Sequence, residues 1–154
     1  MALLPESTNA SYRGSIWSAA YLGLTGLLSV GPGCIHYFLP DGGAGVIAGL
    51  DLSANRAVIV GIFAWEGASQ IALGIAQLLV AVRYRALVPL FLLLQLIETA
   101  LDAVAFWITK VSPTGHHPPE NYAALVTLPL LAIFLVLSLR RPQDVFSARE
   151  AVGS

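Results

Sequence analysis

Apolar residues run almost unbroken through four stretches of the chain, 15–39, 57–82, 86–109 and 122–139, with polar residues gathered in the segments between them. A helix needs about 20 such residues to cross a hydrocarbon core of about 30 Å, so each stretch predicts a membrane span. The first and fourth stretches hold no charged residue, the second holds only Glu66, and the third holds Glu98 and Asp102. Arg83-Tyr84-Arg85 is a turn too short to do anything but set the second and third spans side by side and antiparallel. The glycine-rich segment 40–56 and the segment 110–121, with Pro113, Gly115, Pro118 and Pro119, are the two longer loops. The fold class expected is all-α, an integral membrane antiparallel four-helix transmembrane bundle forming one domain, with residues 1–12 and 142–154 as flexible tails.

Composition supports the same class. Charged residues make up 11% of the 154-residue chain and apolar ones 56%, against roughly 25% charged in an average soluble domain. A soluble domain of this size keeps too much of its surface in water to hide that apolar fraction. The net charge of −1 gives no basis for a nucleic-acid partner. One cysteine, Cys34, excludes an internal disulfide and any dithiol redox motif. A cleaved signal peptide is not expected, because the first span is long and its basic flank weak, and Gly31-Pro32-Gly33 makes a poor lipoprotein signal before Cys34.

Basic residues set a direction. Arg13, Arg83, Arg85, Arg140, Arg141 and Arg149 share one side of a four-span arrangement, and only Arg56 and Lys110 fall on the other. Positive charge collects on the cytoplasmic side, which places both termini there, at the inner membrane if the source is bacterial. Trp17 and Tyr84 then fall at the inner interface and Tyr37, Trp107 and Tyr122 at the outer one.

Small residues at helical spacing, Ala19, Gly23, Gly26 and Gly33 in the first span and Gly67 and Gly74 in the second, are expected to bring helices close. Pro32 is expected to kink or break the first span and free a carbonyl near His36, and Pro129 to bend the fourth. Pro89 sits where a helix start tolerates it. The run 42–49 lacks the strand and the glycine spacing of a nucleotide loop and reads as an apolar interfacial lid.

An ionisable side chain in mid-span costs about 2.5–3.5 kcal/mol on insertion scales and is a functional candidate by default. At 1.5 Å per residue, Glu66 lies about 13 Å from the outer end, Glu98 about 15 Å and Asp102 about 9 Å, with His36 within about one turn of the surface. Glu66, Gln70 and Gln77 share one helix face, Gln95, Glu98, Thr99 and Asp102 another, and Thr25, Ser29 and His36 a weaker third. A polar pocket in the outer half of the bundle is expected where these faces meet, with Trp65 as an aromatic wall. Glu98 and Asp102, one turn and about 6 Å apart, would repel if both were ionised, so the pair is expected to share a proton. Glu-x-x-His pairs and facing mid-span histidines are missing, and His116 and His117 fall in a loop, so neither metal nor other cofactor is expected.

The stretch Glu66-Gly67-Ala68-Ser69-Gln70-Ile71-Ala72-Leu73-Gly74, followed by a Leu-rich run into Arg83-Tyr84-Arg85, resembles the second span and basic turn of the DoxX-like family of small four-span bacterial membrane proteins. The resemblance covers about a third of the chain. It implies the four-span fold, an early second-span glutamate carried over to Glu66, and association with redox- or stress-linked membrane complexes. Pro32-Gly33-Cys34-Ile35-His36 departs from the family's glycine-lysine ending of the first span, and Glu98 and Asp102 stand outside the resemblance.

Two functions follow as expectations. In one, the pocket binds or does acid/base chemistry on a small lipophilic molecule, with Glu98, Asp102, Glu66 and His36 as proton-handling groups and Trp65, Gln70, Gln95 and Thr99 as binding residues. In the other, the chain is a non-catalytic DoxX-like accessory subunit of a larger membrane complex, or a homo-oligomer. Membrane lipid surrounds the protein in either. A proton path is disfavoured because only Gln77 and hydroxyls continue a relay inward.

The orientation has a direct check. With Cys34 replaced by serine, a cysteine at Gly43 or Gly115 should react with a membrane-impermeant maleimide in intact cells; reaction only after permeabilisation would reverse the topology.

Overall fold

Lipid tails solvate a leucine as well as another helix does, so helices in a bilayer associate where backbones approach closely and polar groups bond across the gap. In the computed structural model, which describes residues 3–112 and 115–140, the first two long helices do both. α1 (Ile16–Phe38) and α2 (Arg56–Arg83) lie antiparallel along most of their length. Their glycines meet in reciprocal pairs. A Cβ built on Gly74 would fall 2.7 Å from the Gly26 carbonyl oxygen, and one on Gly67 2.6 Å from that of Gly33. Only glycine fits at these crossings.

α1 then reaches every other helix through a hydroxyl. Ser18 Oγ donates to the Phe134 carbonyl of α4 (Pro119–Leu139) at 2.8 Å, and Ser29 Oγ to the Gln70 carbonyl of α2 at 3.1 Å. Thr25 Oγ1 lies 3.0 Å from Gln95 Oε1 of α3 (Val88–Val104) and 3.0 Å from its own helix's Leu22 carbonyl, with one proton to give to either. Bonds of this kind are worth about 0.6 kcal/mol each inside a membrane, so they orient the helices more than they drive assembly. Leu22, Val80, Val88, Leu92 and Leu131 form the fully or almost fully buried core.

Among the described residues, four helical segments are long and apolar enough to cross a membrane: Ile16–Phe38, Arg56–Arg83, Arg85–Thr109 and Pro119–Leu139. The protein is therefore an all-α, multi-pass membrane bundle, and each span ends within three residues of the bounds read from the sequence. The third span is composite, with a 3₁₀ turn (Arg85–Leu87) before α3 and a π turn (Ala105–Thr109) after it. α4 starts earlier than expected. Pro119 occupies the first turn, where its missing N–H costs nothing, and Glu120 meets the positive end of the helix dipole.

Pro32 corrects an expectation. α1 continues through it unbroken, and the carbonyl that loses its i+4 donor belongs to Leu28, one turn before the proline, not near His36. Pro129 likewise lies inside a continuous α4.

At the turn end, residues 5–9 lie across the exposed C-terminus of α2. Thr8 N and Ser7 Oγ donate to the Arg83 carbonyl at 3.1 and 2.9 Å, and Asn9 Nδ2 donates to the Val82 carbonyl at 2.7 Å. Asn9 Oδ1 accepts from Arg85 N at 3.2 Å, and Arg83 donates to the Pro5 carbonyl through Nη2 at 3.1 Å. The last carbonyls of a helix have no partner inside it, and this segment supplies several. Arg141, Arg149 and the 142–154 tail lie outside the described residues, as does Pro113.

At the loop end, the run expected as an apolar lid is a folded cap. Gly42 and Gly43 adopt φ of 63° and 76°, a region closed to most side chains. The turn they form wraps the Asp41 carboxylate, which accepts from the backbone N–H groups of Gly43 (2.9 Å), Val46 (3.0 Å) and Gly45 (3.2 Å). These bonds hold the Asp41 carboxyl below its usual range. His116 Nε2 reaches the Ala48 carbonyl at 2.7 Å and ties the cap to the α3–α4 loop.

Two outcomes follow. Gly67→Ala and Gly74→Ala should each destabilise the protein by about 1–3 kcal/mol through overpacking. Gly61→Ala, whose new methyl would meet nothing within 4 Å, should stay within about 0.5 kcal/mol; reversible unfolding in mixed micelles reads both. Because folding lowers the Asp41 proton affinity, its contribution is present above the ordinary carboxylate range and lost as pH falls through the lowered value. Hydrogen exchange at Gly43, Gly45 and Val46 should thus be slower than in Asp41→Ala near neutral pH, with the difference vanishing in acid.

Candidate functional site

The short Arg83-Tyr84-Arg85 turn makes α2 and α3 neighbours at one end only. Beyond it they scarcely touch, because α2 is drawn against α1 by the glycine pairs and α3 against α4. The result is a groove of about 400 Å³ between α2 and α3, open along one side. A groove of that volume suits a small organic molecule.

Its wall on α3 is a helical stripe. Phe91, Leu94 and Gln95 lead to Ile97 and Glu98 and then to Leu101 and Asp102, and α2 contributes Leu73 and Gln77. The lining is mostly apolar, with carboxylates towards the loop end. In a bilayer the open side faces lipid tails or another membrane chain, since both flanking helices are spans.

The structure brings some of the expected residues together and separates others. Glu98 and Asp102 line the groove one turn apart. Glu66 is not a lining residue, though it lies within electrostatic range of both. Gln95 lines the groove while its Oε1 faces Thr25.

Gln77 is the residue the sequence undervalued. It is only 7% exposed, lines the groove, and its Oε1 has no hydrogen-bond partner. Leaving such a group unbonded costs about 1–3 kcal/mol. Its place on the Glu66–Gln70 face was visible in the spacing; its missing partner was not.

His36 is elsewhere. It is 6% exposed, packs against α2 at Gly67, meets the Phe63 ring edge-on at 5.1 Å, and places Nδ1 2.7 Å from the Gly42 carbonyl. A carbonyl only accepts, so Nδ1 carries the proton and the ring serves to anchor the cap. Depth put His36 near the carboxylates; helix rotation puts it on the α1–α2 contact instead.

Trp65 also departs from the expectation. One residue before Glu66, it is turned about 100° around the helix, and it is 73% exposed and does not line the groove. Gln70 faces α1 near Gly33, with its Oε1 buried and unbonded, and Thr99 is half-buried without lining the groove. Of the expected binding residues only Gln95 lines the groove, beside Gln77 and the Leu73, Phe91, Leu94, Ile97 and Leu101 walls. These leucines carried no signal of their own, because every face of a membrane helix is apolar.

Chemically, the groove offers carboxylates, glutamine amides and apolar surface. Among the described residues no basic side chain lines it, and none of the three carboxylates forms an ion pair or hydrogen bond within the chain. Nor does any group of three or more His, Cys, Asp or Glu among those residues stand where a metal could be held. No family model, curated protein or solved structure matches this chain.

Proposed function

We propose that the α2–α3 groove is a binding site for a small lipophilic molecule that reaches it sideways from the bilayer. The observation that supports this reading is an open groove inside the spans whose apolar lining carries Glu98 and Asp102 on one wall. Carboxylates are costly at that depth unless they have work to do or a partner to meet. The apolar residues would hold the body of the ligand, and the carboxylates its polar end.

Glu98 and Asp102, with Glu66 within electrostatic range, are the groups that would exchange a proton with a bound molecule. Two carboxyls this close favour a state with one proton between them, which gives a donor and an acceptor in one site. His36 takes no part in this version. With both termini cytoplasmic, as the basic residues favour, the carboxylate end of the groove lies in the outer half of the membrane.

The alternative is the DoxX-like accessory subunit, in which a partner's helix fills the same seam. Gentle purification followed by mass spectrometry of extracted small molecules separates the two. A monodisperse protein should carry a bound lipophile at near-stoichiometric level, and Leu94→Trp, which fills the groove, should lose it. Obligate co-purification with a large partner and no bound molecule would overturn the pocket in favour of the subunit.

A further inference from the structure

The groove has a chemical bias that its shape alone does not give. Glu66, Glu98 and Asp102 stand within electrostatic range of one another at its loop end. Farther along, the lining residue Gln77 is almost buried, and its side-chain carbonyl oxygen has no bond among the described residues. Glu98 and Asp102 with one proton between them still carry a negative charge. The charged side chains lining the groove are all acidic.

Among the described residues the chain has no positive charge to answer this with. Its basic side chains on the described residues, Arg13, Arg56, Arg83, Arg85, Lys110 and Arg140, sit at or beyond the ends of the helices and never along the groove. Thr25 is committed to Gln95 or to its own helix. A positive charge for the site comes from none of these side chains.

We infer that the groove selects a lipophilic amine, with its ammonium group held by Glu98, Asp102 and Glu66 and its apolar body laid along Leu94 and Phe91. This rests on the reading of the groove as a ligand site and names the class of ligand. An ammonium carries three donors and one charge, which match two or three acceptors in low dielectric, where such bonds are strongest. A neutral lipophile of equal length fills the apolar part and leaves the carboxylates unmet. A lipophilic anion is repelled.

The test compares dodecylamine, dodecanol and dodecanoate as ligands of the full chain in phosphatidylcholine nanodiscs, with empty discs subtracted. Dodecylamine should bind at least about tenfold more tightly than dodecanol, the margin of one well-made charged contact. Dodecanoate should bind most weakly. The double variant Glu98→Gln and Asp102→Asn, checked for folding by circular dichroism and elution volume, should bring amine and alcohol to within about twofold by losing only the amine's advantage. Leu94→Trp should weaken both ligands. Should that double variant not fold, Glu98→Gln alone should lose part of the advantage. Equal binding of amine and alcohol by the unaltered protein would overturn the inference and leave the groove reading standing. Binding of neither, or binding indifferent to Leu94→Trp, would overturn both.

Discussion

The close approach of α1 and α2 at two glycine pairs is the constraint from which the rest of the arrangement follows. Inside a bilayer no solvent pushes apolar faces together, so the helices that touch most are those whose backbones can come nearest. Gly26 with Gly74 and Gly33 with Gly67 allow this along most of both helices. α2 cannot lie tightly on α1 and on α3 at once. It is joined to α3 by a short turn but packed elsewhere, and the space between them opens as a consequence.

Most of the fold could be read from the chain because the signals are physical necessities. Spans must be long and apolar to cross the membrane, so their number and their bounds are written in the sequence to within a few residues. The glycine crossings were legible for the same reason, since close packing requires residues without side chains. Pro32 was not, because whether a proline breaks a helix depends on what supports it from outside.

The site was legible in part. Glu98 and Asp102 sit where their spacing put them, on one stripe of α3. His36, Trp65 and Gln70 were assigned from depth and from approximate faces, and both measures lose the angle around the helix axis that decides which neighbour a side chain meets. A rotation of 100° separates each residue from the next, and it is the difference between one neighbouring helix and another. The apolar walls left no trace, because a leucine facing a ligand and a leucine facing a lipid tail look alike in a sequence. Gln77 shows the converse. Its position was visible, but an unmet carbonyl oxygen becomes visible only when all its neighbours are placed.

The two ties at opposite ends of the molecule set how the groove can move. At the turn end, residues 5–9 bind α2 to the start of α3, and at the loop end His116 fastens the α3–α4 loop to the Ala48 carbonyl of the cap. A seam tied at both ends is open at its side, towards acyl chains and not towards either water layer. On the reading proposed for the groove, a ligand arriving that way would shed its hydration when it enters the membrane, before it meets the protein, and the rate of loading would follow the ligand's concentration in the lipid and hardly at all its concentration in water.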